Sequence, residues 1–289
     1  MASLMTAHDA ILLMRADPRW YALIRDCYLA ADLFENAARF EASPEWQATL
    51  GLLGPGVRGG TVLDLGAGNG IASWALVQAG ARRVLALEPD PSNVVGWRAI
   101  RQLCRGLPVD VIDSLAGAIP IPEQTVDAVL ARQVLHHIHD LPDTMRAVAR
   151  VMKPGAVFVA TREHVVDDER QMAAFLAAHP VHQLTGGEHA HSLNAYLEAL
   201  RGAGLSVTHV LGPLESIVNA FPFMRSTAEL SAFVNAEVNR VLRRRFGCLG
   251  GWLRRRTMLA SQIAISLGNE QPGRIFTFVA SRPQFSSSV

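Results

Sequence analysis

Up to about residue 53, apolar positions return at helical spacing, as in Trp20, Leu23, Ile24, Cys27 and Tyr28 and again in Ala30, Leu33 and Phe34. Gly54-Pro55-Gly56 and Gly59-Gly60 break that pattern. From 61 to about 161 the pattern changes to short apolar runs alternating with helical stretches, which calls for a parallel sheet with helices on both faces. Ser192 to Leu200 reads as a further helix and Leu205 to Val210 as a further strand. The next good strand, Arg274 to Ala280, comes only after a long interval, so residues 212–272 read as an insertion. That insertion holds a helix opened by the capping box Ser226-Thr227-Ala228-Glu229, with Leu230, Phe233, Val234, Val238 and Val241 on one face. A second helix is expected from about Trp252 to Leu267. The expected organisation is a helical cap over 1–58, a core over 59–211, the helical insertion over 212–272, and a last core strand with tail over 273–289.

The most informative run is Val62-Leu63-Asp64-Leu65-Gly66-Ala67-Gly68-Asn69-Gly70, followed by the helical Ile71 to Leu76. It describes a buried strand, a turn of bare backbone and a helix start, against which a ligand can lie. The strand Arg83 to Leu87 then ends in Glu88, whose carboxylate can accept hydrogen bonds from two adjacent ribose hydroxyls. Together they read as a nucleoside site. A dinucleotide fingerprint wants a third glycine at position 71, which is Ile71, and no phosphate-cradling Gly-Lys-Ser/Thr loop is present. Asp64 would repel a pyrophosphate but suits an amino group or an ordered water. The turn therefore favours a cationic or zwitterionic nucleoside.

Val62 to Gly70 resembles motif I of the class I S-adenosylmethionine (SAM)-dependent methyltransferases, and Leu87-Glu88-Pro89-Asp90 resembles their ribose-binding motif II. Asp127 to Ile138 is similar to the fourth strand and following helix of the small-molecule branch called type 11 or UbiE-like. Thr144 to Ala156 is similar to that branch's helix and turn before strand five. The similar stretch runs from about residue 59 to 161. The resemblance implies a Rossmann-like, doubly wound, mostly parallel seven-stranded α/β sheet with an antiparallel last strand, here with a helical cap. It implies SAM as methyl donor, leaving as S-adenosylhomocysteine (SAH), with no metal. Asp64, Gly66, Ala67, Gly68, Asn69, Gly70, Glu88, Pro89 and Arg132 are then the expected cofactor residues. In the family an aspartate precedes the Pro-x-Pro run by five residues and faces the adenine amino group. Here position 115 is leucine, so Asp113, with Ser114 beside it, is expected to take that contact.

The chain of 289 residues has 49% hydrophobic and 18% charged residues, the balance of a globular protein with a large core. A net charge of +1 gives no long-range field to gather nucleic acid. Cys27, Cys104 and Cys248 are scattered, without ligand spacing, as suits a reducing cytoplasm. Asp9 and Arg15 interrupt the N-terminal apolar run, so it does not read as a signal peptide, and no stretch reads as a membrane span.

His136-His137 follows the fourth strand, where a methyl acceptor would meet the sulfonium, and imidazole can remove a proton there. On a helix their side chains would diverge by about 100°, so only one is expected to face the site. Arg162-Glu163-His164 follows the fifth strand, with His179, His182, Glu188, His189 and His191 downstream. That histidine-rich segment fits acid–base or substrate-binding work, divalent metal ligation or a polar surface loop. Candidate bases are His136 and His164, and candidate acceptor-binding residues are His137, Glu163, His182 and Glu188. The runs Arg243-Arg244-Arg245 and Arg254-Arg255-Arg256 fit an anionic acceptor or membrane surface, or simply arginines answering a helix dipole. The reading that emerges is a cytoplasmic methyltransferase acting on a small molecule, with the N-terminal helices and the insertion forming the acceptor pocket. A SAM-binding partner or sensor without catalysis is the alternative. A nucleic-acid acceptor is disfavoured: where base-amino methyltransferases carry Asn-Pro-Pro-Tyr/Phe, this chain has Leu130-Ala131-Arg132-Gln133. The acceptor atom and the oligomeric state stay open.

Overall fold

The computed structural model describes residues 5–186, 189–246 and 273–284. Seven strands, β1 (Thr61–Leu65), β2 (Arg83–Leu87), β3 (Val109–Ile112), β4 (Val126–Arg132), β5 (Met152–Val165), β6 (Ser206–Leu211) and β7 (Arg274–Ser281), form one sheet in the order β3-β2-β1-β4-β5-β7-β6. Neighbours among β1 to β5 are parallel, whereas β7 runs antiparallel to both β5 and β6. The expected last strand is thus present, and it inserts between β5 and β6 rather than at an edge.

The pleat sorts side chains to two faces with a period of two. Leu63, Leu65, Leu85, Leu87, Val129 and Phe158 point to one face, and Val62, Val84, Ala86, Ala128, Leu130 and Val159 to the other. A central parallel strand buried on both faces therefore reads as a continuous apolar run, and all five residues of β1 are buried, Asp64 included. Each fully buried leucine or phenylalanine contributes about 2–3 kcal/mol. The first face is covered by α7 (Leu141–Val151) and α10 (Leu193–Gly202). The second is covered by α3 (Leu33–Glu41), α4 (Pro44–Leu53), α5 (Ile71–Gln78) and α6 (Trp97–Leu103). The N-terminal region is therefore not all cap. Phe40, Trp46 and Leu53 of α3 and α4 belong to the main core, whereas α1 (Ala7–Ala16) and α2 (Tyr21–Asp26) enclose a small separate cluster around Ile11, Met14, Ile24 and Val94.

After β5 come α8 (Glu169–Ala178) and α9 (Pro180–Thr185), and α9 packs on α1. The insertion starts with α11 (Ile217–Ala220), which packs on α4, β5 and β7, and continues with α12 (Thr227–Phe246). At the start of α12 the Glu229 amide donates to Ser226 Oγ at 3.1 Å, and Glu229 Oε2 accepts from the Arg225 amide at 2.7 Å. The box thus closes one residue earlier than the sequence suggests. Its buried face is Leu230, Val238 and Leu242, while Phe233 is exposed. The helix expected from Trp252 to Leu267 and the run Arg254-Arg255-Arg256 lie outside the described residues. Among the described residues no helix is long and apolar enough to cross a membrane.

Candidate functional site

The turn after β1 is shaped by what surrounds it. Gly66 has φ +64°, and a Cβ there would stand 1.9 Å from Val134 Cγ2, so the approach of the segment after β4 requires glycine. Gly68, at φ +57°, has nothing within 4 Å of a Cβ position: its open side faces the cavity. Gly70 takes the left-handed conformation that starts α5. The Gly68 amide donates to Glu88 Oε2 at 2.8 Å, and the Asp90 amide donates to Glu88 Oε1 at 2.9 Å. Each carboxylate oxygen is thus fixed by one backbone donor and keeps a lone pair free, the geometry a vicinal diol needs. Burial raises the Glu88 pKa, against these two donors. Asp64 is buried beneath the turn and accepts from Ser73 Oγ at 2.6 Å. Burial pushes its carboxyl up to about 6, with the Ser73 hydrogen bond pulling the other way.

A cavity of about 610 Å³ runs from this turn across the carboxyl end of the sheet. At one end stand Asp64, Gly66, Ala67, Gly68, Glu88 and Pro89, and at the other His136, His137, His164 and His179. Ile11, Met14, Leu23 and Ile24 from the N-terminal helices, Leu29 from the loop after α2 and Val181 from α9 complete its wall. Arg132, at the end of β4, also lines it. Its Nε donates to Glu45 Oε1 at 2.7 Å, and its guanidinium lies 5.0 Å from the Phe40 ring centre and 5.5 Å from that of Tyr28. Burial works against the Arg132 charge, but Glu45 outweighs it and holds the pKa above the ordinary arginine value. Arg132 is the only arginine or lysine on the cavity wall among the described residues.

The histidine wall is a packed layer of neutral rings. His136 and His137 are 4.2 Å apart, His136 and His164 4.9 Å, and His164 and His179 5.8 Å between ring centres. Burial lowers His136 and His137 to about 3 and His164 and His179 to about 4, and neighbouring imidazoles add to the effect. Behind His136 lies Glu163, fully buried, which accepts from the Val134 amide at 3.0 Å and the His136 amide at 3.1 Å. Its Oε2 is 2.7 Å from His136 Nδ1. Burial pushes the Glu163 carboxyl up while the backbone donors oppose it. With two N–H groups already directed at it, the carboxyl is an acceptor toward Nδ1–H, which leaves the lone pair of His136 on Nε2. His164 Nδ1 is 2.7 Å from the Gly273 carbonyl, which can only accept, so the His164 lone pair is also on Nε2.

Several sequence expectations are placed differently. His136 and His137 sit not on a helix but in a single 3-10 turn, Leu135–His137, and both line the cavity. Asp113 is exposed and Ser114 Oγ donates to the Ala118 carbonyl; the cavity wall there is Leu115 and Ala116, neither Asp113 nor Ser114. Asn69 lines the cavity but uses its side-chain amide to hold the Tyr28 carbonyl at 2.9 Å. Gly70 caps α5 rather than lining the cavity. Glu163 supports His136 from behind, and His182 stands outside the cavity lining with its buried Nδ1 unpartnered. Glu188 lies outside the described residues. No described residue of the insertion lines the cavity; α9 and the segment before it take that place. Glu45 was not singled out from the sequence, where nothing marks it. Among the described residues no group of three His, Cys, Asp or Glu is arranged to hold a metal ion.

Residues 63–160 match the Methyltransferase domain family. The tRNA U34 carboxymethyltransferase of Cellvibrio japonicus is 34% identical over 100 residues, covering 34% of this chain and 31% of that protein. The ubiquinone biosynthesis O-methyltransferase of Methylobacterium nodulans is 34% identical over 100 residues, covering 35% of this chain and 39% of that protein. The chain thus spans less than two fifths of the length of either relative. Among solved structures, the geranyl diphosphate C-methyltransferase of Streptomyces coelicolor A3(2) shares the fold with a TM-score of 0.57 at 14% identity, covering 96% of this chain and 89% of that one. The glycine turn, the acidic ends of β1 and β2, the strand order and the family match converge on residues 63–160, which form a methyltransferase domain similar to the class I SAM-dependent, UbiE-like type.

Proposed function

We propose that the protein transfers the methyl group of SAM to a small molecule through an atom that loses a proton in the reaction. The carrying observation is that the turn and Glu88 share one cavity with the histidine wall. The residues present fit the cofactor: Glu88 keeps an acceptor position on each oxygen for a ribose diol, Asp64 suits the amino group, Arg132 the carboxylate, and Leu115 and Ala116 give a flat apolar wall for adenine. When bound, SAM supplies a methyl carbon already activated by its sulfonium. The chain's own work is to align the acceptor, exclude water and take a proton. His136 Nε2 receives the proton of the acceptor hydroxyl or amine, and Glu163 holds the tautomer that makes this atom the lone-pair bearer. Burial keeps the ring neutral at physiological pH, so the proton-accepting form is always present. His164 is the second base candidate, oriented by the Gly273 carbonyl.

Ile11, Met14, Leu23 and Ile24 add an apolar surface, which suits an acceptor with an apolar body and one protic group. The free thiols Cys27 and Cys104 suit the reducing cytoplasm. The test is incubation with methyl-labelled SAM and a fractionated cell extract. Label is expected in the low-mass fraction, resistant to ribonuclease and lost with His136→Asn. Label carried on RNA would overturn the small-molecule reading.

A further inference from the structure

The face of α6 remote from the sheet carries Arg98 and Arg101, with Arg105 just beyond its end. Positions i and i+3, Arg98 and Arg101, fall on one side of the helix, and Arg105 lies in the turn that follows. All three arginines are exposed, and with Trp97 and Phe34 of α3 they line a second hollow of about 830 Å³. No residue is common to this hollow and the cavity above. Net charge conceals the patch, since the chain as a whole carries only +1.

The three arginines differ from those in the fold that are paired with a carboxylate. Arg19, Arg25, Arg83, Arg132, Arg146, Arg240 and Arg274 each have a carboxylate partner. Arg98, Arg101 and Arg105 have none among the described residues, and no acidic residue lines the hollow. Instead the guanidinium of Arg101 stands 4.5 Å and that of Arg98 5.2 Å from the Trp97 ring centre. Stacking on one indole holds both planes in place and leaves their edge N–H groups free to donate. Across the hollow Phe34 is 56% exposed, a large aromatic side chain with an uncovered surface. Two guanidiniums held on an indole, a third exposed beside them and an exposed ring match a chain that alternates phosphates with flat bases. An acidic peptide would use the charges and leave the ring without a role.

We propose that this groove is a docking site for single-stranded RNA, separate from the methyl-transfer cavity and independent of the acceptor assigned to it. The test is fluorescence anisotropy of a labelled oligouridylate with the full-length protein, without SAM, as salt is varied. Binding in the micromolar range at low salt is expected. With three phosphates engaged, the logarithm of affinity should fall against that of salt with a slope of about −2. Arg98→Ala with Arg101→Ala should bring the slope to about −0.7. Phe34→Ala should weaken binding about tenfold with the slope unchanged. Arg105→Glu serves as a second, independent disruption. SAH affinity should be unchanged in every variant, which also reports that each is folded. Absent binding, or binding that the arginine changes leave intact, would overturn the proposal. So would an equal affinity for polyglutamate together with indifference to Phe34→Ala, which would make the groove an acidic-peptide site.

Discussion

The two ends of the cavity bury ionisable groups in opposite senses. At the turn, burial raises Asp64 to about 6, so the empty site holds the acid protonated up to about pH 6, well above the ordinary carboxylate range. At the far wall, burial lowers four histidines to about 3 or 4, so the site favours neutral bases. Burial disfavours charge at both ends, with opposite pH signatures. The acidic end is prepared to meet a cation, and the imidazole end presents neutral nitrogen lone pairs.

The largest effect expected from this contrast is acid instability. A histidine whose folded pKa is depressed contributes stability that is fully present above the unfolded value near 6.5 and is lost as pH falls toward the folded one. Each such group costs up to about 1.4 kcal/mol per pH unit below 6.5. The wall should therefore cost several kcal/mol between about pH 6.5 and 5. Thermal melts across this range should show a steep loss, and His179→Gln should flatten it. An unchanged melting temperature from pH 7 to pH 5 would mean that these rings are solvated and not buried as described.

Next in size is catalysis at the imidazole end. His136→Asn should lower kcat by about a hundredfold or more, the range for loss of a general base, with SAH affinity held within a factor of about two. Glu163→Gln keeps the shape but no longer offers a carboxylate to three N–H donors, and should cost about tenfold in kcat through misorientation of His136. Measuring both constants separates positioning from binding. A matching loss of SAH affinity in Glu163→Gln would mark its role as structural.

The same contrast explains how much the sequence could reveal. The turn end is local: Asp64, Gly66, Gly68 and Glu88 come from one strand–turn–helix–strand unit, and their spacing encodes their geometry. Even β7, far from β6 in the chain, was legible from its own apolar run. The histidine wall and its cover are not local. Arg132 finds Glu45 across 87 positions, and His164 finds Gly273 across 109, contacts that no motif announces. The sequence places His136 and His137 on a helix, whereas the true helix starts just beyond them. Asp140 caps α7 and Pro142 occupies its first turn, so the preceding residues close a separate 3-10 turn that Glu163 anchors. Asp113 was expected to face the cavity on a register that the loop does not keep, and Leu115 stands there instead.

At the turn end, Glu88→Ala should weaken SAH binding by about 3 kcal/mol, roughly a hundredfold, since two charge-assisted hydrogen bonds are lost. Calorimetry at fixed pH checks this, and an affinity within threefold of wild type would remove Glu88 from the cofactor site.

The pH signature of Asp64 has a sign that sets it apart from the wall. A carboxyl raised from 3.8 to about 6 contributes stability that is complete below about 4 and is lost as pH rises through about 6. Without ligand, Asp64→Asn should therefore match wild type near pH 4 and exceed it above pH 6 by up to about 3 kcal/mol. A ligand amino group against Asp64 reverses the preference, because it stabilises the ionised form. SAH affinity should then rise by up to about tenfold per unit between pH 5 and 6 and level off above it, with a proton released on binding. In Asp64→Asn both the rise and the proton release should vanish while the acid instability of the histidine wall persists. A pH-independent affinity in the wild type would place the amino group elsewhere, and would leave Asp64 as a buried acid that only Ser73 engages.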